Sequence, residues 1–295
     1  MMDKMLYYLT KGSVWILSSL PWSVLLILSS AMAFLMRRIF RYRLKVVRRN
    51  LRNSFPKKSD EELRAIEKGF YRYLADYLVF ECKLLTMSYE ELRERVQYEN
   101  HEQFVGMCKT YGGSILMIPH YSFFEGLIGV AGITGKEVLP VQVYKPLHNK
   151  AMDRLFLEIR SRFGSLGVPK HSTARTLVKY YRQGQSMVVG LITDQNPNRQ
   201  EAHYWTTFLN QDTVFMDGAE KFAKLMNWPV FYADFRHAPK RGYCHVKMDL
   251  ITMTPRQMAD GAIMEVFARR LEQTILRDPA PWFWSHRRWK YQKPE

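Results

Sequence analysis

The chain has 295 residues, of which 47% are hydrophobic and 24% are charged. This composition excludes an intrinsically disordered chain and a small disulfide-stabilised scaffold, because it supplies enough apolar surface for a sizeable core. The formal net charge of +16 indicates a polyanionic partner, which is either a nucleic acid or an anionic membrane.

The most apolar segment lies near the N-terminus. Residues 13–36 contain no charged side chain over 24 positions. A helix of about 20 apolar residues can cross a hydrocarbon core of about 30 Å, so the segment predicts a transmembrane or membrane-inserted helix. A cleaved signal peptide is the alternative, but the apolar run is too long and no small-residue cleavage site precedes the basic segment that follows. Pro21 could kink the helix or make the segment dip in and return, which keeps a monotopic arrangement open.

A basic segment follows at once, because residues 37–58 contain ten Lys or Arg and no acidic residue. Its position beside an apolar segment, with no nucleic-acid motif elsewhere, favours an anionic membrane surface over nucleic acid as the partner. Basic flanks tend to stay in the cytoplasm, which predicts that the rest of the chain lies on the cytoplasmic side of the membrane. The three scattered cysteines suit a reducing compartment. They are Cys82, Cys108 and Cys244.

The remainder of the sequence predicts an α/β fold. Ser59 and Ser88 each precede acidic residues in the pattern of a helix N-cap, so we expect helices from about Glu61 to Leu85 and after Ser88. From residue 114, short β-branched runs alternate with helical segments, which predicts a mixed, largely parallel sheet covered by helices. The predicted strands are 114–119, 137–144, 187–193, 229–236 and 244–251, and the predicted helices are 121–131, 148–163, 172–183, 214–227 and 255–277. We therefore divide the chain into a membrane anchor (1–36), a basic membrane-proximal and helical neck (37–112) and an α/β domain (113–295).

His120 and Glu125 are the first candidates for chemistry, since they follow the first predicted strand of the α/β domain. In one continuous helix their spacing of five would keep them apart. Pro119 holds Ile118 extended, so His120 can lie in the turn before the helix and fold back onto the carboxylate. An imidazole oriented by a carboxylate is a workable general base for removing a hydroxyl proton. The alternative is a histidine that caps the helix and a glutamate on the surface.

Other kinds of site have no support in the sequence. It contains no H-E-x-x-H pattern and no zinc-ligand spacing, no G-x-S-x-G elbow, no P-loop and no dinucleotide-binding G-x-G-x-x-G. We therefore expect no metal and no cofactor. What remains is direct attack by a substrate hydroxyl, helped by a base and without a covalent enzyme intermediate.

Five blocks of sequence, in their order along the chain, carry a family resemblance. They are Arg49–Leu51 with Phe55-Pro56, His120–Glu125 as H-x4-E, Val143–Pro146 with Asn149, Thr193–Asn196, and Pro281–Lys290. With the apolar N-terminus, they make the chain resemble the lipid A biosynthesis acyltransferases, the late, acyloxyacyl-forming branch of the wider lysophospholipid acyltransferase group. The resemblance runs over essentially the whole chain.

The resemblance implies a glycerolipid-acyltransferase-like fold at the bacterial inner membrane. It implies transfer of a fatty acyl chain from an acyl thioester, typically on acyl carrier protein, to a hydroxyl of a lipid A precursor. His120 would deprotonate the acceptor hydroxyl and Glu125 would orient the imidazole. Lys145 and Arg160 would meet lipid phosphate, while Asp194 would hold one of these cations or a sugar hydroxyl. We expect the oxyanion to be bound by backbone amides at the helix start after His120, or by a nearby cation.

Ordinary structural roles remain open for three of these residues. They are a surface lysine after a strand for Lys145, an ion-pair partner on a charged helix for Arg160, and a capping turn residue for Asp194. We expect the basic residues of the C-terminal block, His286 to Arg288, to hold the fold or to face the membrane.

The chain departs from the family pattern at two places. Lys145 stands where arginine is common, which replaces a bidentate fork by a point charge. Ser122–Phe124 stands where asparagine and tryptophan are frequent, and these aromatic residues could line an acyl channel or pack in a core. An acyltransferase for another acceptor, such as a lysophospholipid, an amino-acid lipid or a glycolipid, is the alternative function. A membrane adaptor without catalytic activity is a further one.

Overall fold

The computed structural model describes residues 2–198 and 202–293. The α-helices are α1 (Met2–Ser19), α2 (Trp22–Phe34), α3 (Leu44–Ser54), α4 (Asp60–Lys83), α5 (Tyr89–Arg95), α6 (His101–Tyr111), α7 (Val130–Thr134), α8 (Lys150–Ser161), α9 (Thr173–Arg182), α10 (Gly218–Met226) and α11 (Ala262–Arg277). The strands are β1 (Val96–Glu99), β2 (Gly113–Ile118), β3 (Val138–Tyr144), β4 (Leu166–Pro169), β5 (Ser186–Ile192), β6 (Tyr204–Phe208), β7 (Gln211–Phe215), β8 (Val230–His237) and β9 (Cys244–Thr252).

The apolar N-terminal segment forms two helices that meet at Pro21, the residue at which a kink or a return was expected. Helix α1 ends before Leu20-Pro21, where proline has no N–H to continue the helical hydrogen bonds. Helix α2 begins directly after Pro21 and continues as a π-helical turn, Leu35–Ile39. Of the described helices, the combined helix Trp22–Ile39 is long and apolar enough to cross a membrane.

Helix α4 is the longest helix of the described chain and confirms the predicted start. The Ser59 hydroxyl accepts a hydrogen bond from the Glu62 N–H, and the Glu62 carboxylate accepts one from the Ser59 N–H. This capping box satisfies two backbone donors that a helix start leaves free. Ser88 caps α5 in the same manner through the N–H of Glu91. Helices α1, α2 and α3 all pack against α4, which therefore links the N-terminal region to the rest of the molecule.

A seven-stranded sheet forms the centre of the body, in the order β1-β9-β8-β2-β5-β3-β4. Five adjacent strands, from β8 to β4, run parallel, while β9 is antiparallel to β8 and parallel to β1. Every residue of β2 is buried, as expected of a central strand with helices on both faces. The mixed α/β fold with a mostly parallel sheet covered by helices is confirmed.

Several elements differ from the sequence prediction. Strands β1, β4, β6 and β7 were not predicted, and β1 with α6 lies within the segment assigned to the neck. The predicted helix over 121–131 is replaced by a bend, a 3-10 helix (Phe124–Gly129) and the short α7. This last difference decides where Glu125 lies.

Candidate active site

The carboxyl ends of three neighbouring parallel strands meet at one edge of the sheet. Strand β2 is flanked by β5, and β5 by β3. His120 follows β2, Asp194 follows β5 and Lys145 follows β3, so the topology brings these three predicted residues to the same edge. Ligands of α/β proteins bind at this edge of the sheet. The Lys145 side chain is exposed there.

His120 and Asp194 are in direct contact. The Nδ1 atom of His120 lies 2.7 Å from Asp194 Oδ1. The backbone N–H of His120 also donates to both carboxylate oxygens, at 3.1 and 3.0 Å. Because an ionised carboxylate only accepts hydrogen bonds, Nδ1 must carry the proton, and Nε2 is left with a free lone pair in the neutral ring. This is the tautomer that a base acting through Nε2 requires.

Asp194 is 3% exposed and is stabilised as an anion. Burial alone would favour the neutral acid, but the charge of His120 and hydrogen bonds from His120 and Trp282 hold the pKa of Asp194 below its ordinary value. The Trp282 indole N–H donates to Asp194 Oδ2 at 2.9 Å. Tyr121 pairs with Trp282 in an isolated bridge, so the C-terminal segment is fixed to the turn that carries His120.

The other ring nitrogen of His120 faces an exposed side chain. The Nε2 atom of Gln195 lies 2.8 Å from His120 Nε2. The amide N–H of Gln195 can donate a hydrogen bond to the lone pair on that ring nitrogen. The imidazole lies edge-on to two aromatic rings, with centroids 5.0 Å away for Phe124 and 5.7 Å away for Phe283. The reactive nitrogen thus lies between apolar rings and one replaceable polar group.

Glu125 does not orient His120, which corrects the sequence interpretation. Among the described residues its hydrogen-bonding partner is Arg160 on α8, whose Nε donates to Glu125 Oε2 at 3.0 Å and whose Nη2 donates to Oε1. The reason is local. Ser122 has a left-handed backbone (φ 52°), its N–H donates to Pro281 O at 3.1 Å, and no helix begins until Phe124.

A second carboxyl group lies close to the Glu125–Arg160 pair. Burial and the charge of Glu125 raise the pKa of Glu81 well above its ordinary value, although Arg160 acts in the opposite direction. Burial alone would lower the pKa of Arg160, but Glu125 and Glu81 raise it. Arg160 therefore stays charged between two carboxyl groups. Of these two groups, the carboxyl group of Glu81, on α4, favours its neutral, protonated form.

The basic C-terminal block supports the loop after β5. Arg288 is 2% exposed, and its guanidinium donates to Asn196 Oδ1 and to Val214 O, both at 2.6 Å. Burial lowers the pKa of Arg288 to about 10. Burial and the charge of Arg288 lower the pKa of His286 to about 4. The contacts of Arg288 agree with the expectation that this block holds the fold.

Two residues of this site received no role from the sequence. Gln195 and Trp282 both lie in recognised blocks, but nothing in their spacing relates either of them to His120. The adjacency of Gln195 to Asp194 was the available signal, since both follow a strand at the ligand-binding edge. In the described residues, no group of three or more His, Cys, Asp or Glu side chains could hold a metal ion.

The chain was compared with known protein families and with curated proteins. A scan against protein families matched residues 1–291 to the family described as bacterial lipid A biosynthesis acyltransferase. A search of curated proteins found no match. The family match covers nearly the whole chain and includes every residue of the site, and its members transfer acyl groups in lipid A synthesis. The protein is therefore an acyltransferase that belongs to the bacterial lipid A biosynthesis acyltransferases.

Proposed function

We propose that the protein transfers a fatty acyl chain from the thioester of acyl carrier protein to a hydroxyl group of a lipid A precursor, with His120 as general base. The observation that carries this proposal is the His120–Asp194 pair, whose geometry assigns the proton of the neutral imidazole to Nδ1 and makes Nε2 the basic nitrogen at the ligand-binding edge of the sheet. A histidine in this state can take a proton from a hydroxyl at neutral pH.

The reaction is a direct acyl transfer from donor to acceptor through a tetrahedral oxyanion, without a covalent enzyme intermediate. His120 Nε2 takes the proton of the acceptor hydroxyl while the hydroxyl oxygen attacks the thioester carbonyl carbon. The carbon–sulfur bond then breaks, and the imidazolium returns its proton to the leaving thiolate. Asp194 accepts a hydrogen bond from Nδ1 throughout, so its negative charge stabilises the imidazolium that forms between the two proton transfers.

The oxyanion needs a donor, and the amides next to the base are already engaged. The N–H groups of His120, Tyr121 and Ser122 donate to Asp194, Pro119 O and Pro281 O respectively. The exposed Gln195 carboxamide, which contacts the reactive nitrogen, is therefore our candidate donor to the oxyanion. When the acceptor hydroxyl displaces it from His120 Nε2, its N–H becomes available for the carbonyl oxygen.

Arg160 and Lys145 are proposed to bind a phosphate of the lipid acceptor. Arg160 Nε and Nη2 donate to Glu125, and in the described part of the chain Nη1 of the guanidinium remains for a ligand. Glu125 is thus a positioning residue for Arg160 in our proposal. The exposed Lys145, at the end of the neighbouring strand β3, adds a second positive charge at the same edge.

The donor and the location follow from charge and lipid chemistry. The net charge of +16 suits an acidic carrier protein as donor and an anionic membrane as the surface on which the acceptor resides. We propose that the enzyme works at the inner membrane, with its site on the cytoplasmic side, because its basic segment directly follows an apolar one. The acceptor can then react without leaving the bilayer.

Mass spectrometry of lipids tests the proposal. Lipid A is compared between cells with the intact gene, without it, with His120→Ala and with His171→Ala, an exposed histidine outside the site. We expect lipid A to lose one acyl chain in the deletion and His120→Ala strains alone. If another lipid class loses an acyl chain, the assignment of the acceptor is wrong. If no lipid changes, the catalytic proposal is wrong and a membrane adaptor becomes the better interpretation.

A further inference from the structure

Helices α1 and α2 present an unpartnered apolar surface. Large side chains more than half exposed include Leu9, Trp15, Ile16, Ile27 and Phe34. The opposite faces of both helices are buried or half-buried against the body. Tyr7 on α1, and Leu25 and Ser29 on α2, are buried at helical spacing. Residues 2–39, here called the hairpin, therefore expose apolar side chains on the outer face and pack against the body with the inner face.

Both ends of the hairpin are attached to the same body. On α1, the Tyr7 hydroxyl and the Lys11 ammonium both bond to Glu158 of α8. After α2, Arg37 Nε donates to Glu67 Oε1 of α4 at 2.8 Å, and Glu67 is only 2% exposed. The start of the helix Trp22–Ile39 is held as well, because the Trp22 indole N–H donates to Glu91 of α5. A helix that crossed a bilayer would place its two ends on opposite sides, whereas both ends of Trp22–Ile39 meet one body.

The corner between the two helices is also built into the body. The interruption of the helix at Pro21 leaves backbone carbonyls without the N–H partners that a continuous helix would supply. Lys83 Nζ donates to Ser18 O at 2.7 Å and to Leu20 O at 3.1 Å, and the Thr86 hydroxyl donates to Ser18 O at 2.9 Å. These bonds satisfy the carbonyls that the turn leaves open.

The middle of α2 is held by an ion pair. Arg241, in the connection between β8 and β9, donates to Asp76 Oδ2 at 2.7 Å, to Ser30 Oγ at 2.9 Å and to Ser29 Oγ at 3.2 Å. The Ser29 hydroxyl donates to Asp76 Oδ1 at 2.5 Å. Ser29 and Ser30 lie at the centre of the helix Trp22–Ile39. If that helix crossed a bilayer, Asp76 and Arg241 would lie near the middle of the hydrocarbon, where charged side chains are disfavoured.

We propose that the hairpin lies in one leaflet of an anionic bilayer, parallel to its surface, and does not cross it. Its outward apolar side chains enter the acyl region, and exposed basic residues beside its end, such as Arg38, Arg41 and Lys45, meet anionic headgroups. The proposal rests on the membrane location proposed above and specifies its topology. It differs from the spanning arrangement that the length and apolarity of Trp22–Ile39 also allow.

Cysteine labelling of the full-length protein separates the two topologies. In a background with Cys82→Ser, we would introduce Asp3→Cys at the start of the hairpin and, separately, Lys293→Cys near the C-terminus, both at exposed positions. Intact spheroplasts are treated with a membrane-impermeant maleimide and compared with lysed ones. We expect both cysteines to be protected until lysis. Labelling of Asp3→Cys but not Lys293→Cys in intact spheroplasts would overturn the in-plane arrangement and leave the proposed acyltransferase function intact.

A cross-linking measurement in the same membranes tests the packing of α2 directly. The pair Ser29→Cys and Asp76→Cys replaces two side chains in hydrogen-bond contact, so mild oxidation should form an intramolecular disulfide in most of the chains. The control pair Ile27→Cys and Asp76→Cys, with Ile27 on the outward face, should stay reduced. Equal, background-level oxidation of both pairs would overturn the proposal. Recovery of the unmodified protein in the soluble fraction would overturn the membrane location itself.

Discussion

Replacement of Asp194 by asparagine tests the orientation of the proposed base. In the described chain, this carboxylate accepts hydrogen bonds from the His120 ring, the His120 backbone N–H and the Trp282 indole. Asparagine has one acceptor and one donor in place of two acceptors, so its NH₂ must face one of these groups. If the amide oxygen faces Trp282, the NH₂ faces His120 Nδ1 and the ring proton moves to Nε2. The base is then lost.

The size of the effect follows from the alternative amide orientation. If the amide oxygen of the variant faces His120 instead, the ring keeps its active tautomer, but the buried Trp282 N–H then faces the amide NH₂ and has no acceptor. An unsatisfied buried donor of this kind costs about 1–3 kcal/mol. Loss of a charge-assisted hydrogen bond to the imidazolium adds about 1–1.5 kcal/mol. The sum of about 2–4.5 kcal/mol corresponds to a fall in kcat of about 30-fold to 2,000-fold.

The assay measures kcat of the purified full-length enzyme with an acyl carrier protein thioester and a lipid A precursor. The matched control is Asp212→Asn, in the β6–β7 hairpin, which is exposed and which we expect to leave kcat unchanged. An unchanged melting temperature for Asp194→Asn would show that the fold is intact. A kcat within threefold of the wild-type value would refute the reasoning, because an imidazole with the wrong tautomer cannot accept the hydroxyl proton.

Three further predictions concern neighbouring groups. Gln195→Ala should lower kcat by about 10-fold to 100-fold with little change in melting temperature, since it removes one oxyanion donor, and an unchanged kcat would remove Gln195 from the mechanism. Glu125→Gln should destabilise the protein by about 1–3 kcal/mol in denaturant unfolding, because it removes the carboxylate that accepts two hydrogen bonds from the partly buried Arg160. The double variant Glu125→Gln/Arg160→Gln should recover part of the stability. Burial lowers the folded-state pKa of His286 to about 4, so between about pH 6.5 and pH 4 the unfolded chain binds a proton that the folded chain does not. The free energy of unfolding should therefore fall as the pH is lowered from 6.5 toward 4, by at most about 1.4 kcal/mol per pH unit. A His286→Gln variant should lose this part of the pH dependence, and an identical pH profile in the two proteins would contradict the assignment.

The sheet was predictable because its strands are short β-branched runs with covered faces. The runs at 114–119 and 187–193 became β2 and β5 within one residue at each end. The unpredicted strands are at the sheet edges or in the small β6–β7 hairpin. Each of the edge strands β1 and β4 has one partner strand and buries only one of its four residues, so their sequences carry a weaker apolar pattern.

The site was predictable in its members but not in its pairings. His120 and Asp194 could be chosen because they follow strands, and in a parallel sheet such positions meet at one edge. Which carboxylate reaches the imidazole depends on the backbone between residues 120 and 124. That backbone is fixed by Pro281 O and by the Tyr73 hydroxyl, which donates to Ser122 O at 2.6 Å. Contacts so distant in sequence leave no local pattern, and a regular helix was therefore predicted there.

Helix α4 joins the proposed membrane surface to the proposed base. Asp76 of this helix holds the middle of α2 through Arg241, while Tyr73, one turn earlier, holds the turn that carries His120. Tyr77 stacks on Phe124 with ring centroids 5.3 Å apart, and Phe124 in turn contacts the imidazole. One rigid helix thus fixes the position of the reactive nitrogen relative to the apolar face of the hairpin. A lipid acceptor whose acyl chains stay in the leaflet would then present its hydroxyl at a set height above the bilayer, and the position acylated would depend on this height as well as on the shape of the pocket.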